Sequence, residues 1–149
     1  MMPLTRGAGN SNQPMIQIDM KSVVFFDSSK VLRAVKRAER QKLSRFGAYV
    51  RQRAKTSIRP GRGISTPGSP PVRHTGLLGK LILFGYNEAE KCVVIGPVQF
   101  RIGSLVPRLL EHGGRARNGA VYRARPFMVP AFEAEKPGFL NDWRDSVHG

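Results

Sequence analysis

The chain has 149 residues, one cysteine, and 25 Lys and Arg against 10 Asp and Glu, a formal charge of +15. That length suits one domain able to fold without staples, and a single cysteine excludes a disulfide framework or a thiolate metal cluster. No apolar run approaches the roughly 18 residues of a membrane span, and the charge points to a polyanionic or acidic partner, or to a symmetric assembly that tolerates self-repulsion.

Residues 1–14 are rich in Gly, Asn, Ser and Gln. They read as a flexible N-terminal arm ahead of a single domain over 15–149. They lack the apolar stretch of a secretory signal, and a reducing birthplace fits. Met15 to Met20 alternates apolar and polar residues and predicts a short strand. Val23-Val24-Phe25-Phe26 extends or follows it. Asp27-Ser28-Ser29 then offers N-cap side chains.

A long helix is predicted from Ser29 to about Ile58, interrupted by no proline and by one glycine, Gly47. Leu32, Val35, Leu43, Phe46, Val50 and Ala54 share one stripe at 100° per residue, widened by Val31, Ala38 and Tyr49. The other faces are basic. Residues 30–62 hold twelve bases and one acid, a net +11 that includes Arg33, Arg37, Arg40, Arg45 and Arg62. The lone acid, Glu39, projects into the apolar stripe. It is either solvated at a helix end or paired with an Arg of a neighbouring subunit, and solvation is the commoner state. One small sheet cannot cover a helix of this length, so part of it must project or meet another chain.

Residues 59–73 form a Pro/Gly-rich loop. Gly76–Tyr86 and Lys91–Val98 predict two strands of a β-hairpin joined at Asn87–Glu90. Leu105–His112 is a short helix or an extended piece, and Gly113–Arg123 a basic loop carrying Arg115 and Arg117. A strand begins at Tyr122, with Pro126 at its end. Pro130 suits the first position of a C-terminal helix, which Pro137-Gly138 should break or kink. Residues 131–149 carry four acids and two bases, a net −2.

No catalytic constellation is evident. His74, His112 and His148 are isolated, without metal-ligand spacing. Gly61-Arg62-Gly63 lacks the Gly-Lys-Ser/Thr of a phosphate loop. Cys92 lies in an apolar strand, where an inert thiol is the default. The sequence therefore implies no enzyme, cofactor or metal. The basic helix has the footprint of a phosphate binder, but its aromatics do not interleave with the cations, and no helix-turn-helix or zinc-finger spacing occurs.

Four short motifs follow the charged helix in order: Thr75-Gly76-Leu77-Leu78, Val93-Val94-Ile95-Gly96-Pro97, Leu109-Leu110-Glu111-His112-Gly113-Gly114, and Arg125-Pro126-Phe127-Met128-Val129-Pro130-Ala131. Over about residues 30–147 this arrangement resembles the tail-completion or head–tail joining (neck) proteins of tailed bacteriophages. In that family the Thr-Gly-x-Leu element opens the first hairpin strand, and the Arg-Pro-Phe element leads into the C-terminal helix. The extension over 1–28 and Pro137-Gly138 depart from the pattern.

The resemblance gives Thr75, Gly76, Leu77, Glu111, Gly113, Pro126, Phe127 and Pro130 architectural roles. Gly113-Gly114 would supply positive φ after Glu111. It implies an α+β fold: a small antiparallel sheet, a long N-terminal helix packed on it, a C-terminal helix and long Pro/Gly-rich loops. It also implies a structural virion protein, a ring, commonly of six copies, between head connector and tail. Such a protein is made in the host bacterial cytoplasm and located at the head–tail interface. Expected partners are further copies, the connector or head-closure protein, the tail terminator or tube, and passing genomic DNA, with no membrane. Interface candidates are Arg33, Arg37, Glu39, Arg40, Arg45 and Arg62 with the loop residues Arg115 and Arg117. Two other roles fit the sequence: a tail terminator capping the tube, and a sequence-independent nucleic-acid-binding protein.

Overall fold

A computed structural model describes residues 27–98 and 105–145. The predicted arm (1–14), the strand at 15–20, Val23–Phe26 and the last residues of the C-terminal helix lie outside the described residues. The long helix, α1, spans Ser28–Ser57. Asp27 caps it: its carboxylate accepts from the Lys30 N–H at 3.0 Å and from the Ser29 hydroxyl at 2.6 Å. At ~1.5 Å per residue α1 is about 45 Å long.

The apolar stripe of α1 divides in two. Phe46, Val50 and Ala54 are buried, and Ile58 beyond the helix joins them. Val31, Leu32 and Val35 stay exposed, at 42%, 58% and 57%. The C-terminal half has a cover and the N-terminal half projects.

Part of that cover is a hairpin of β1 (Ile82–Asn87) and β2 (Cys92–Pro97), antiparallel, with Phe84 opposite Ile95 and Gly85 opposite Val94. Side chains alternate between faces along each strand. Ile82, Phe84, Val93 and Ile95 therefore turn toward α1. Gly47 is where helix and hairpin come closest. A Cβ there would lie 2.7 Å from Val93 Cγ2 and 2.9 Å from Phe84 Cδ2. A mid-helix glycine costs about 1 kcal/mol relative to Ala, and this close approach accounts for it.

The expected first strand is shortened. Leu77–Leu81 forms one helical turn, α2, before β1 begins at Ile82. Gly76 takes φ 73° at the start of that turn, and the Leu77 N–H reaches Thr75 Oγ1 at 3.4 Å. Thr75-Gly76-Leu77 thus opens a helical turn rather than a strand.

Leu105–His112 resolves as helix α3, Val106–His112. The loop after it carries an unexpected two-residue ladder, β3 (Gly114–Arg115) with β4 (Val121–Tyr122). The C-terminal helix, α4, runs Met128–Asp145. Pro130 is its third residue, not its first, and Pro137 lies inside it without ending it. Pro137 and Glu133, whose carbonyl loses its usual donor, are both exposed, so water can take that bond.

The core is small: Phe46, Val50, Ala54, Ile58, Ile82, Phe127 and Ala131, with Leu78, Val93, Ile95, Leu110, Met128 and Phe139 packed around it. Full burial of Val50, Ile82 or Phe127 stabilises by roughly 1.5–3 kcal/mol each. Phe46 joins α1 to α4, its ring 4.7 Å from that of Phe139 and 5.5 Å from that of Phe132. Arg53 pairs with Glu135 across the same helices. The described residues thus form the α+β arrangement: long helix, small antiparallel hairpin, C-terminal helix.

Candidate assembly surfaces

Glu111, Gly113, Pro126, Phe127 and Pro130 gather around the start of α4, whereas Thr75, Gly76 and Leu77 stay at the start of α2. The first four N–H groups of a helix have no intrahelical partner. Here the Glu111 carboxylate, reaching over from α3, accepts from Phe127 and Met128 at 2.9 and 3.0 Å through Oε2, and from Val129 at 2.8 Å through Oε1. The fourth of these positions, counting from Phe127 just before the helix, is Pro130, which has no N–H to satisfy. Glu111 is thus a remote cap, its charge placed at the positive end of the helix dipole. Phe127, 1% exposed, anchors the chain at that point.

Gly113 makes this reach possible. It adopts φ 70°, and a Cβ would lie 2.9 Å from the Ala124 nitrogen and 3.0 Å from the Tyr122 oxygen. Gly114 follows at φ 130°. The expectation of positive φ after Glu111 holds, and the close backbone approach adds a second reason for glycine.

The interface candidates separate into groups. Arg33, Arg37 and Arg40 lie on one side of the projecting half of α1, with Lys36 beside them. Among the described residues Arg33, Lys36 and Arg37 have no carboxylate within salt-bridge distance. Arg40 sits over the Tyr86 ring, 5.9 Å from its centroid. Partial desolvation, then the charges of Glu39 and Glu88, push the Tyr86 phenol above its ordinary value, and Arg40 opposes them. Glu39 is half-buried and forms no ion pair among the described residues. Arg45 turns away from this group and donates to the Tyr49 hydroxyl at 3.0 Å.

Arg62, Arg115 and Arg117 are exposed on two loops. Those loops are tied together: the Gly68 N–H donates to the Ala124 carbonyl at 2.9 Å, and Arg125 Nε to the Ser65 carbonyl at 3.0 Å. With α3 they border an open cleft of about 700 Å³ whose wall includes Ile64, Val72, Leu77, Val106, Val121 and Tyr122. Arg73, His74, Arg123 and Arg125 also line it, and no carboxylate does. Ser65 also borders it, with its Oγ buried and without a hydrogen-bond partner among the described residues.

One surface escaped the reading of the sequence. The outward face of the hairpin carries Leu83 and Val94, 46% and 60% exposed. A glycine lies directly across from each: Gly96 opposite Leu83 and Gly85 opposite Val94. A Cβ on either glycine would meet nothing within 4 Å. The turn beyond holds Glu88 and Glu90, exposed and in no ion pair among the described residues. Glu90 accepts a weak bond from Cys92 Sγ at 3.7 Å. Desolvation first, then that carboxylate, push the Cys92 thiol up, away from the reactive thiolate. The signal was available: Gly85 and Gly96 interrupt two apolar runs at positions of the same face.

Among the described residues no three His, Cys, Asp or Glu side chains cluster as a metal site would require, and no helix is long and apolar enough to cross a membrane. Comparison of the chain with protein-family models, curated proteins and solved structures finds no match.

Proposed function

We propose that this chain is a structural virion protein of the tailed-phage neck, a ring subunit that joins the head connector to the tail and acts without cofactor. The observation that carries this is the split stripe of α1. Apolar positions that continue the core-facing row, Val31, Leu32 and Val35, remain exposed, with no cover among the described residues. A soluble monomer gains nothing from such a row, whereas an assembly subunit buries it on contact. The motif residues support the same reading: Glu111, Gly113, Phe127 and Pro130 act together to aim α4, which is architectural work rather than chemistry.

The test is assembly. Light scattering and negative-stain microscopy of the full chain, alone and with connector and tail proteins of the same phage, should reveal rings or stacked complexes. A chain that stays monomeric with every partner and is absent from virions overturns the reading. The terminator role is a sibling, separated by whether the ring binds the connector or only the tail tube. Arg33, Lys36 and Arg37, which have no carboxylate partner among the described residues, favour a second reading, sequence-independent binding to nucleic acid. Affinity falling steeply with log salt would support it, and no binding at low salt would remove it.

A further inference from the structure

We propose that the open cleft bordered by α3 and the two tied loops is a docking site for another protein: an extended segment that carries both apolar side chains and carboxylates. The inference does not depend on the ring reading.

The wall calls for apolar contact. Ile64 and Val121, 82% and 71% exposed, are the two most exposed large apolar side chains among the described residues, and both line this cleft. Val72, Leu77, Val106 and Tyr122 line it with them. Exposed apolar residues scattered singly need no explanation, but gathered around one concave space they mark a binding surface.

Charge selects the occupant. Residues 59–76 and 105–125 supply most of the lining and hold eight arginines and one acid. That acid, Glu111, is committed to the amides at the start of α4. Arg125 is held by the carbonyls of Ser65 and Arg123. Arg73 and Arg123 are exposed at the cleft and have no carboxylate partner among the described residues. Two such guanidiniums, brought together from different loops, suit the carboxylates of one ligand, which Arg binds through paired N–H groups.

Size selects the shape. A helix about 10–12 Å across, with roughly 5.4 Å per turn, would fit fewer than two turns into about 700 Å³. An extended segment uses the space better, because its side chains alternate between two faces and can serve the apolar wall and the cations in turn. A nucleic acid would meet the arginines but set sugar and phosphate against Ile64, Val72 and Val121, and Tyr122 alone provides no run of stacking platforms.

The experiment is fluorescence anisotropy on the full chain at low salt, with a labelled short peptide alternating leucine and aspartate as the probe. Peptides alternating serine with aspartate, and leucine with lysine, are the controls, and labelled oligothymidine is the nucleic-acid arm. The leucine–aspartate peptide should bind about tenfold or more tighter than either control. Arg73→Ala with Arg123→Ala should weaken it by about tenfold, as should Ile64→Ser with Val121→Ser, whereas Arg33→Ala with Arg37→Ala should leave it unchanged. All four cleft positions are exposed, so folding is retained, and far-ultraviolet circular dichroism verifies it. Equal binding of the serine–aspartate peptide, or indifference to the Ile64 and Val121 pair, overturns the proposal. So does oligothymidine binding through Arg73 and Arg123 where the peptide fails to bind, or no peptide binding up to millimolar concentration. Ring assembly is read separately by light scattering, so failure of this site leaves that reading standing.

Discussion

The two halves of α1 obey one sequence rule and meet opposite fates. From Leu32 to Ala54 the apolar positions keep a helical spacing, and bases fill the other faces. Only from Phe46 onward do the hairpin and α4 lie close enough to bury the row, with Val50 and Ala54 at 1% and 0% exposure. Residues 28–38 continue the pattern, but none of the described elements covers them. Periodicity marks the side of a helix that seeks a partner; whether that partner belongs to the same chain is decided by the length and placement of the other elements.

The largest expected effect comes from cutting the row at equivalent places. Phe46→Ala should destabilise by about 3–5 kcal/mol, since it empties a site packed by Phe132 and Phe139. Leu32→Ala, at an exposed position, should stay within about 0.5 kcal/mol in the unassembled chain. Urea melts of both variants under dissociating conditions measure the difference. Equal losses would mean that the projecting half is covered within its own chain.

The next effect concerns the frame that aims α4 at the covered half. Glu111→Ala leaves three N–H groups without their acceptor and should cost about 2–3 kcal/mol. Glu111→Gln, with one good acceptor oxygen, should recover part of it. Thermal melts compare the two, and a neutral Glu111→Ala would refute the cap.

Smaller still is the balance at Gly47. Ala there gains about 1 kcal/mol of helix propensity and loses about 1–3 to overpacking against Val93 and Phe84. The net cost should be about 1 kcal/mol, and Val93→Ala should convert it to a gain in a double-mutant cycle.

The smallest effect lies at the free end. Hydrogen bonds from Ser29 and the Lys30 backbone hold the Asp27 carboxyl below its ordinary value. A lowered folded-state value means that the cap contributes above the unfolded carboxylate pKa of about 4 and is lost as pH falls through the folded value. The Lys30 amide should therefore lose exchange protection only in acid below about pH 4, while residues 43–57 hold theirs. Titration of Asp27 at or above the ordinary value would contradict this.

Much of this fold could be read along the chain. The cap at Asp27, the span of α1, the hairpin and the turn at Asn87–Glu90 all rest on local signals: side-chain caps, periodicity and turn residues. What could not be read depends on distant partners. Nothing near Glu111 announces that its carboxylate meets amides sixteen to eighteen residues later. Leu77 to Phe84 is apolar but for Gly79-Lys80, a stretch in which one helical turn and a strand look alike, and Gly76 at φ 73° marks the start of the turn. Pro137 reads as a breaker, yet it falls on a solvated face of α4, where the missing bond costs little. Arg45 belongs by charge to the basic face and by geometry to Tyr49.

The central proposal, that one stripe is covered half by its own chain and half on assembly, has a direct test. Hydrogen–deuterium exchange of the full chain can be followed from assembling concentration down to dilution. The account predicts that amides of 28–42 lose protection as the oligomer dissociates while those of 43–57 do not change. Protection over 28–42 that is independent of concentration in a chain known to assemble would contradict it.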